Sequence, residues 1–140
     1  MIKIDWEELV KAMEDYTRTR VYLLNKLTGE ILILSEYMSE AGKSELRQKV
    51  GKDKPADYLQ IPTLGSREGY KIMEEFIANL RDEKLKMQLQ ECLEEDAPFK
   101  QFKEAVFKHP EGRKEWFVFR QKRITEEAKK WLDKQGVKYT

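Results

Sequence analysis

The stretch Pro98–Gly136, PFKQFKEAVFKHPEGRKEWFVFRQKRITEEAKKWLDKQG, decides how the rest of the chain is read. Phe99, Phe102 and Phe107 are followed by Trp116, Phe117, Phe119 and Trp131, with Lys and Arg threaded between them. Pro98 suits the first position of a helix, where its missing N–H is not needed. Phe99, Phe102, Val106 and Phe107 are then read as facing inward over a helix at 98–108. His109-Pro110 breaks that helix, and His109 is read as a loop or cap residue. Pro110 starts the last and longest helix, about residues 110 to 135. Gly136 ends it, and Val137 after it supplies the apolar contact of a left-handed C-terminal cap.

Upstream, helical periodicity continues. Tyr70, Met73, Phe76, Ile77 and Leu80 predict a helix over 67–80, with Ser66 as candidate N-cap and Glu68 in its first turn. Asp82 caps a further helix, 82–95, with Leu85, Leu89, Cys92 and Leu93 inward. The acidic end of that helix, Glu91, Glu94, Glu95 and Asp96, opposes the macrodipole and predicts basic neighbours, for which Lys100, Lys103 and Arg113 are close in sequence. At the N-terminus Asp5 and Glu8 have capping-box spacing, Ile4 and Leu9 that of a hydrophobic staple. Trp6, Leu9, Val10 and Met13 line one face of a helix over 5–15. Strands follow at 20–24 and 30–34, joined by a turn from Asn25 to Gly29 whose glycine suits positive φ. A third strand, 57–61, is stopped by Pro62. Residues 35–56 are polar, with Ser44 capping a short helix to Val50, and form either a mobile connection or a cover for a sheet edge. The expected fold is α+β: a small antiparallel sheet of about three strands packed against about five helices, in a single domain spanning 1–140.

Composition narrows the function classes. The chain has 140 residues, 27 Lys and Arg against 26 Asp and Glu, and a net charge of +1, so it is no polycation overall. Its positive charge is concentrated: residues 98–140 carry 12 Lys and Arg against 6 Asp and Glu, whereas residues 1–97 carry 15 against 20. No apolar run is long enough for a membrane span, and the first residues lack a signal-peptide core, so no membrane partner is expected. Cys92 is the one cysteine, which excludes an internal disulfide and suits a reducing compartment; a cytoplasmic location is expected. One His and one Cys do not make a zinc site of the usual kind, and no phosphate-binding glycine loop or metalloprotease motif occurs. No catalytic residue, metal or cofactor is therefore expected, and the chain is read as leaning away from enzymes.

The last helix carries the candidate site. At about 100° per residue, Trp116, Phe117, Ile124, Ala128 and Trp131 share a broad arc, and Arg120 lands inside it. An arginine on an apolar face is either the buried partner of a carboxylate or a cleft residue facing a ligand anion. The candidate ligand- or partner-binding residues are Trp116, Phe119, Arg120, Arg123, Arg113 and Lys103. The function expected from them is non-catalytic binding of a protein partner, as an adaptor. Two alternatives are nucleic-acid association through the basic, aromatic C-terminal helices and a small-anion cleft around Arg120.

Several segments together resemble a known group: the hairpin Tyr22-Leu23-Leu24-Asn25 with Thr28-Gly29-Glu30; Ile61-Pro62, Leu64 and Ser66-Arg67-Glu68-Gly69-Tyr70 with Met73, Glu74 and Phe76; and Phe99, Phe102 and Lys103 with Trp116, Phe119 and Arg120. As a set they resemble a family of small bacterial proteins, one of the UPF groups of uncharacterised protein families. The resemblance runs from Asp5 to about Gly136, except over residues 35–56. It implies a soluble, cytoplasmic bacterial protein and carries no activity or functional residue.

Overall fold

The structure, a computed structural model, describes residues 1–15, 17, 19–52 and 55–140. Its elements are α1 (Trp6–Met13), β1 (Arg20–Asn25), β2 (Ile31–Ser35), α2 (Glu40–Lys52), β3 (Tyr58–Gln60), α3 (Ser66–Ala78), α4 (Glu83–Glu94), α5 (Pro98–Phe107) and α6 (Pro110–Lys134), with a 3-10 turn at Pro55–Asp57. This is the expected α+β class, with a three-stranded antiparallel sheet and a mostly helical C-terminal half. The chain forms two compact units: residues 1–64 with 124–140, and residues 65–123.

In the first unit β1 lies between β2 and β3, antiparallel to both. Leu24 stands opposite Ile31 on one side and Leu59 on the other. The hairpin closes as its residues dictate: Asn25 Oδ1 accepts from the N–H of Leu27 (2.9 Å) and of Thr28 (3.2 Å), which satisfies a buried polar side chain. Gly29 has φ +84, and a Cβ there would collide with the Lys3 carbonyl oxygen. Asp5 caps α1 by accepting from the Glu8 N–H at 3.1 Å, and Ile4 and Leu9 are both buried, as a staple requires. The chain ends meet in a short parallel bridge between Ile2 and Tyr139. Gly136, at φ +72, closes α6: its N–H donates to the Asp133 carbonyl oxygen and that of buried Val137 to the Leu132 carbonyl oxygen, each at 3.0 Å, which is the pair of hydrogen bonds of a Schellman cap.

After α1 a polar cluster ties the loop to β1. The Asp15 carboxylate accepts from the Thr17 hydroxyl (2.6 Å), the Thr17 N–H (3.0 Å), the Tyr22 hydroxyl (2.5 Å) and Arg20 (3.3 Å). The Thr17 and Tyr22 hydroxyls hold this carboxyl well below the usual carboxylate range. Burial, and then the Asp15 hydrogen bond, push the Tyr22 phenol up.

Two starts differ from the sequence reading. α2 begins at Glu40, because Ser39 rather than Ser44 accepts the capping hydrogen bond, from the Gly42 N–H at 3.1 Å. Part of the 35–56 connection, Asp53 and Lys54, lies outside the described residues. Ser66 is already the first helical residue of α3. The capping position falls to Gly65, which has no side chain to offer.

The second unit is built on an aromatic and aliphatic cluster. Met73, Phe76, Ile77 and Leu80 of α3 and its end meet Leu85, Leu89 and Leu93 of α4 and Phe102 and Val106 of α5. Cys92, at the edge of that stripe, is half-buried, and burial followed by Glu95 and Glu91 pushes its thiol up. The stripe spacing read from sequence therefore predicts this core almost residue for residue.

Candidate partner-binding surface

Both ends of α5 are fixed by identifiable devices. Pro98 opens α5 immediately after Ala97, which takes a left-handed conformation (φ 54). At the other end His109 works as a cap, as its position before Pro110 suggests. Its Nδ1 accepts from the Gly112 N–H at 2.9 Å, and its Nε2 lies 3.4 Å from Asp82 Oδ2. Asp82 in turn caps α4, its other oxygen accepting from the Leu85 N–H at 3.1 Å. That backbone hydrogen bond, with His109 adding to it, lowers the Asp82 pKa. One histidine thus joins the starts of α4 and α6. Gly112 allows the approach, since a Cβ there would come within 2.7 Å of a Leu85 methyl.

The α5–α6 corner sorts the six candidate residues into three groups. Trp116 and Phe119 face the core of the second unit. Trp116 meets Phe102 edge-on at 4.9 Å and Phe76 at 5.1 Å, and Phe119 lies 5.5 Å from Phe76. Both are partly buried there, so Phe119 is a packing residue rather than an exposed contact. Arg123 and Arg120 are engaged along α6. The Arg123 Nε donates to Glu75 at 2.7 Å, its side chain only 15% exposed. Arg120 is half-buried, with its guanidinium 5.7 Å from the centre of the Phe117 ring. Lys103 and Arg113 alone of the six stand exposed.

Two aromatic expectations are corrected. Phe107 is 67% exposed, not inward. Phe99, Phe102 and Val106 form the stripe, and Phe107 is turned about 100° from Val106, off that stripe. Phe117 is 54% exposed although the wheel groups it with Ile124 and Ala128. The helix serves two compact units: Trp116 and Phe119 pack in one, while Ile124, Ala128 and Leu132 are buried in the other. A single stripe drawn down all of α6 therefore misplaces Phe117.

Phe107 organises what remains accessible. The Arg113 guanidinium sits 5.0 Å from the centre of its ring. Phe107, Lys103, Glu104 and Lys108 line a shallow hollow of about 290 Å3. Lys103 and Lys108 make no ion pair among the described residues. Glu91, Glu94, Glu95 and Asp96, for which basic neighbours are expected, likewise form no ion pair with Lys100, Lys103 or Arg113 among the described residues. All four acidic side chains are exposed, where water already stabilises them and a pair adds little. Lys108 is the residue the sequence reading passes over here, and Phe107 is one it places inward. The signal for Phe107 was its place off the α5 stripe.

Among the described residues no group of three His, Cys, Asp or Glu side chains is placed to hold a metal ion, and no helix is long and apolar enough to cross a membrane. The arrangement offers a cation-flanked aromatic surface.

Comparison with known proteins places the chain in one group. The model of an uncharacterised protein family, UPF0158, matches residues 1–140. The UPF0158 protein PA5073 of Pseudomonas aeruginosa is 26% identical over 134 residues, covering 96% of this chain and 84% of that protein. No solved structure matches.

Proposed function

Since the chain belongs to the uncharacterised protein family UPF0158, whose description assigns no activity, we propose from its geometry that it is a non-catalytic binding protein that docks a protein partner at the α5–α6 corner. The observation that supports this is Phe107, a large apolar ring left 67% exposed with a guanidinium over it and, beside it, two ammonium groups that make no ion pair among the described residues. Covering such a ring stabilises a complex by about 1.5–3 kcal/mol. The cost of ordering it is reduced because Arg113 already packs on it. Aromatic and arginine side chains are also the usual anchors of protein interfaces. The proposal includes a bacterial, cytoplasmic protein, supported by the relative in Pseudomonas aeruginosa and by a lone cysteine that cannot close a disulfide.

A photocrosslinking amino acid at position 107 tests this in living cells, with position 27, an exposed hairpin site, as control. Protein adducts specific to position 107 and weakened by Arg113→Glu are expected. Adducts to nucleic acid in their place would favour the competing reading, in which the cations contact phosphates. Equal adducts at both positions, or none, would refute the docking surface.

A further inference from the structure

Granted that docking surface, we infer that its occupant is an acidic peptide segment carrying one apolar or aromatic side chain between its carboxylates. The inference rests on the α5–α6 corner being the binding site, and it adds the chemistry of the partner. Two cations line the hollow, Lys103 on α5 and Lys108 on the turn after it, with Glu104 beside them, and a third, Arg113 on the first turns of α6, sits over the Phe107 ring. The hollow between them is formed by the Phe107 ring and by the stems of the long side chains beside it, since lysine buries its methylenes while its head stays in water. An apolar side chain seated on that floor would place carboxylates on either side of it within reach of the Lys103 and Lys108 ammonium groups. The size fits one side chain rather than an extended groove, because the hollow is about 290 Å3.

The same residues weigh against a nucleic acid. Glu104 lines the hollow and would face the phosphates. The chain as a whole carries only +1, whereas tight binding to a polyanion draws on many phosphate contacts at once. A short peptide with a few carboxylates sets fewer charges against Glu104 than a phosphate backbone does, and its anchor is apolar, so it depends on fewer ionic contacts. The recognition combines the acidic-motif and pocket-filling modes of peptide binding.

The test is a titration of the isotope-labelled full chain with a synthetic peptide, Glu-Asp-Phe-Asp-Glu, followed by amide chemical shifts. Shifts concentrated at residues 103–113 are expected. Replacing the peptide Phe by Ala should weaken binding about tenfold, the loss of one buried ring. The double variant K103E/K108E should weaken it about fivefold or more, and raised salt should do the same, because exposed pairs are screened. Phe107→Ala, at an exposed site that the core does not need, should abolish the shifts while leaving the unfolding midpoint in place. Four results would overturn the inference: no shifts at millimolar peptide, equal binding of the Phe and Ala peptides, stronger binding of an oligothymidylate, or shifts that follow protein concentration alone and vanish in E94K/E95K, which would put a second copy in the hollow. Position-107 protein adducts with a silent peptide titration would sink this inference and leave the docking surface standing. Peptide shifts located away from 103–113 would sink both.

Discussion

Replacing Asp15 by Ala removes the acceptor of four hydrogen bonds, from the Thr17 hydroxyl and N–H, the Tyr22 hydroxyl and Arg20. The Asp15 side chain is only 8% exposed, while Arg20 is half in water. Arg20 and Thr17 recover solvent when the carboxylate goes, so each loses little. The Tyr22 hydroxyl is part-buried, and a hydrogen bond to a charged group contributes about 1.5–3 kcal/mol. Adding a few tenths for the Thr17 turn gives an expected loss of about 2–4 kcal/mol for Asp15→Ala. Urea unfolding of Asp15→Ala, Tyr22→Phe and the double variant is the assay. The cycle should show a coupling of about 1–2 kcal/mol between the two positions. The pH dependence gives a second reading. The Asp15 carboxyl is held lower in the folded chain than its unfolded value of about 3.9, so folding favours the ionised form. Its contribution is therefore complete above about pH 4 and is lost as pH falls below that value toward the folded pKa. Wild type should lose this increment below about pH 4, and Asp15→Ala should not. An Asp15→Ala protein within about 0.5 kcal/mol of wild type at neutral pH, the size of an ordinary surface change, would refute the cluster as a stabilising network.

Three further outcomes follow from named contacts. Gly29→Ala should cost about 1–3 kcal/mol by chemical denaturation, because φ is +84 and the new methyl meets the Lys3 carbonyl; an unchanged midpoint would show that the hairpin relaxes freely. Asp5→Ala should cost about 1 kcal/mol through the lost cap on the Glu8 N–H, and equal midpoints would remove that cap from the argument. His109→Ala should cost about 1 kcal/mol with local loss of amide protection at Gly112. In the wild type, ring 15N shifts should report the Nε2–H tautomer, the one in which Nδ1 accepts from Gly112 while Nε2 faces Asp82; the opposite tautomer would contradict the double-cap arrangement.

The sequence by itself determined the elements whose signals are local. Asp5 and Asp82 cap helices, Asn25 and Gly29 turn the hairpin, and Gly136 with Val137 closes α6, because each needs only a few neighbouring residues to make its hydrogen bonds. The α3 and α4 stripes were legible for the same reason: a strong period of 3.6 names the buried face without naming what covers it. Ser66 and Ser44 show the limit of even local signals, since Gly65 and Ser39 take the capping positions once the helix starts are set. The candidate site lay beyond that limit. Sequence could group Trp116, Phe119, Arg120 and Arg123 on a helix, but it could not say that Phe76 and Phe102 would cover the first two and Glu75 would hold the last. It read Phe107 as core, and only the packing of Phe102 and Val106 against α3 and α4 left that ring in solvent for Arg113 to cover. Periodicity records where a side chain points along its own helix; exposure depends on which other elements arrive on that side, and that is decided by contacts between residues far apart in the chain.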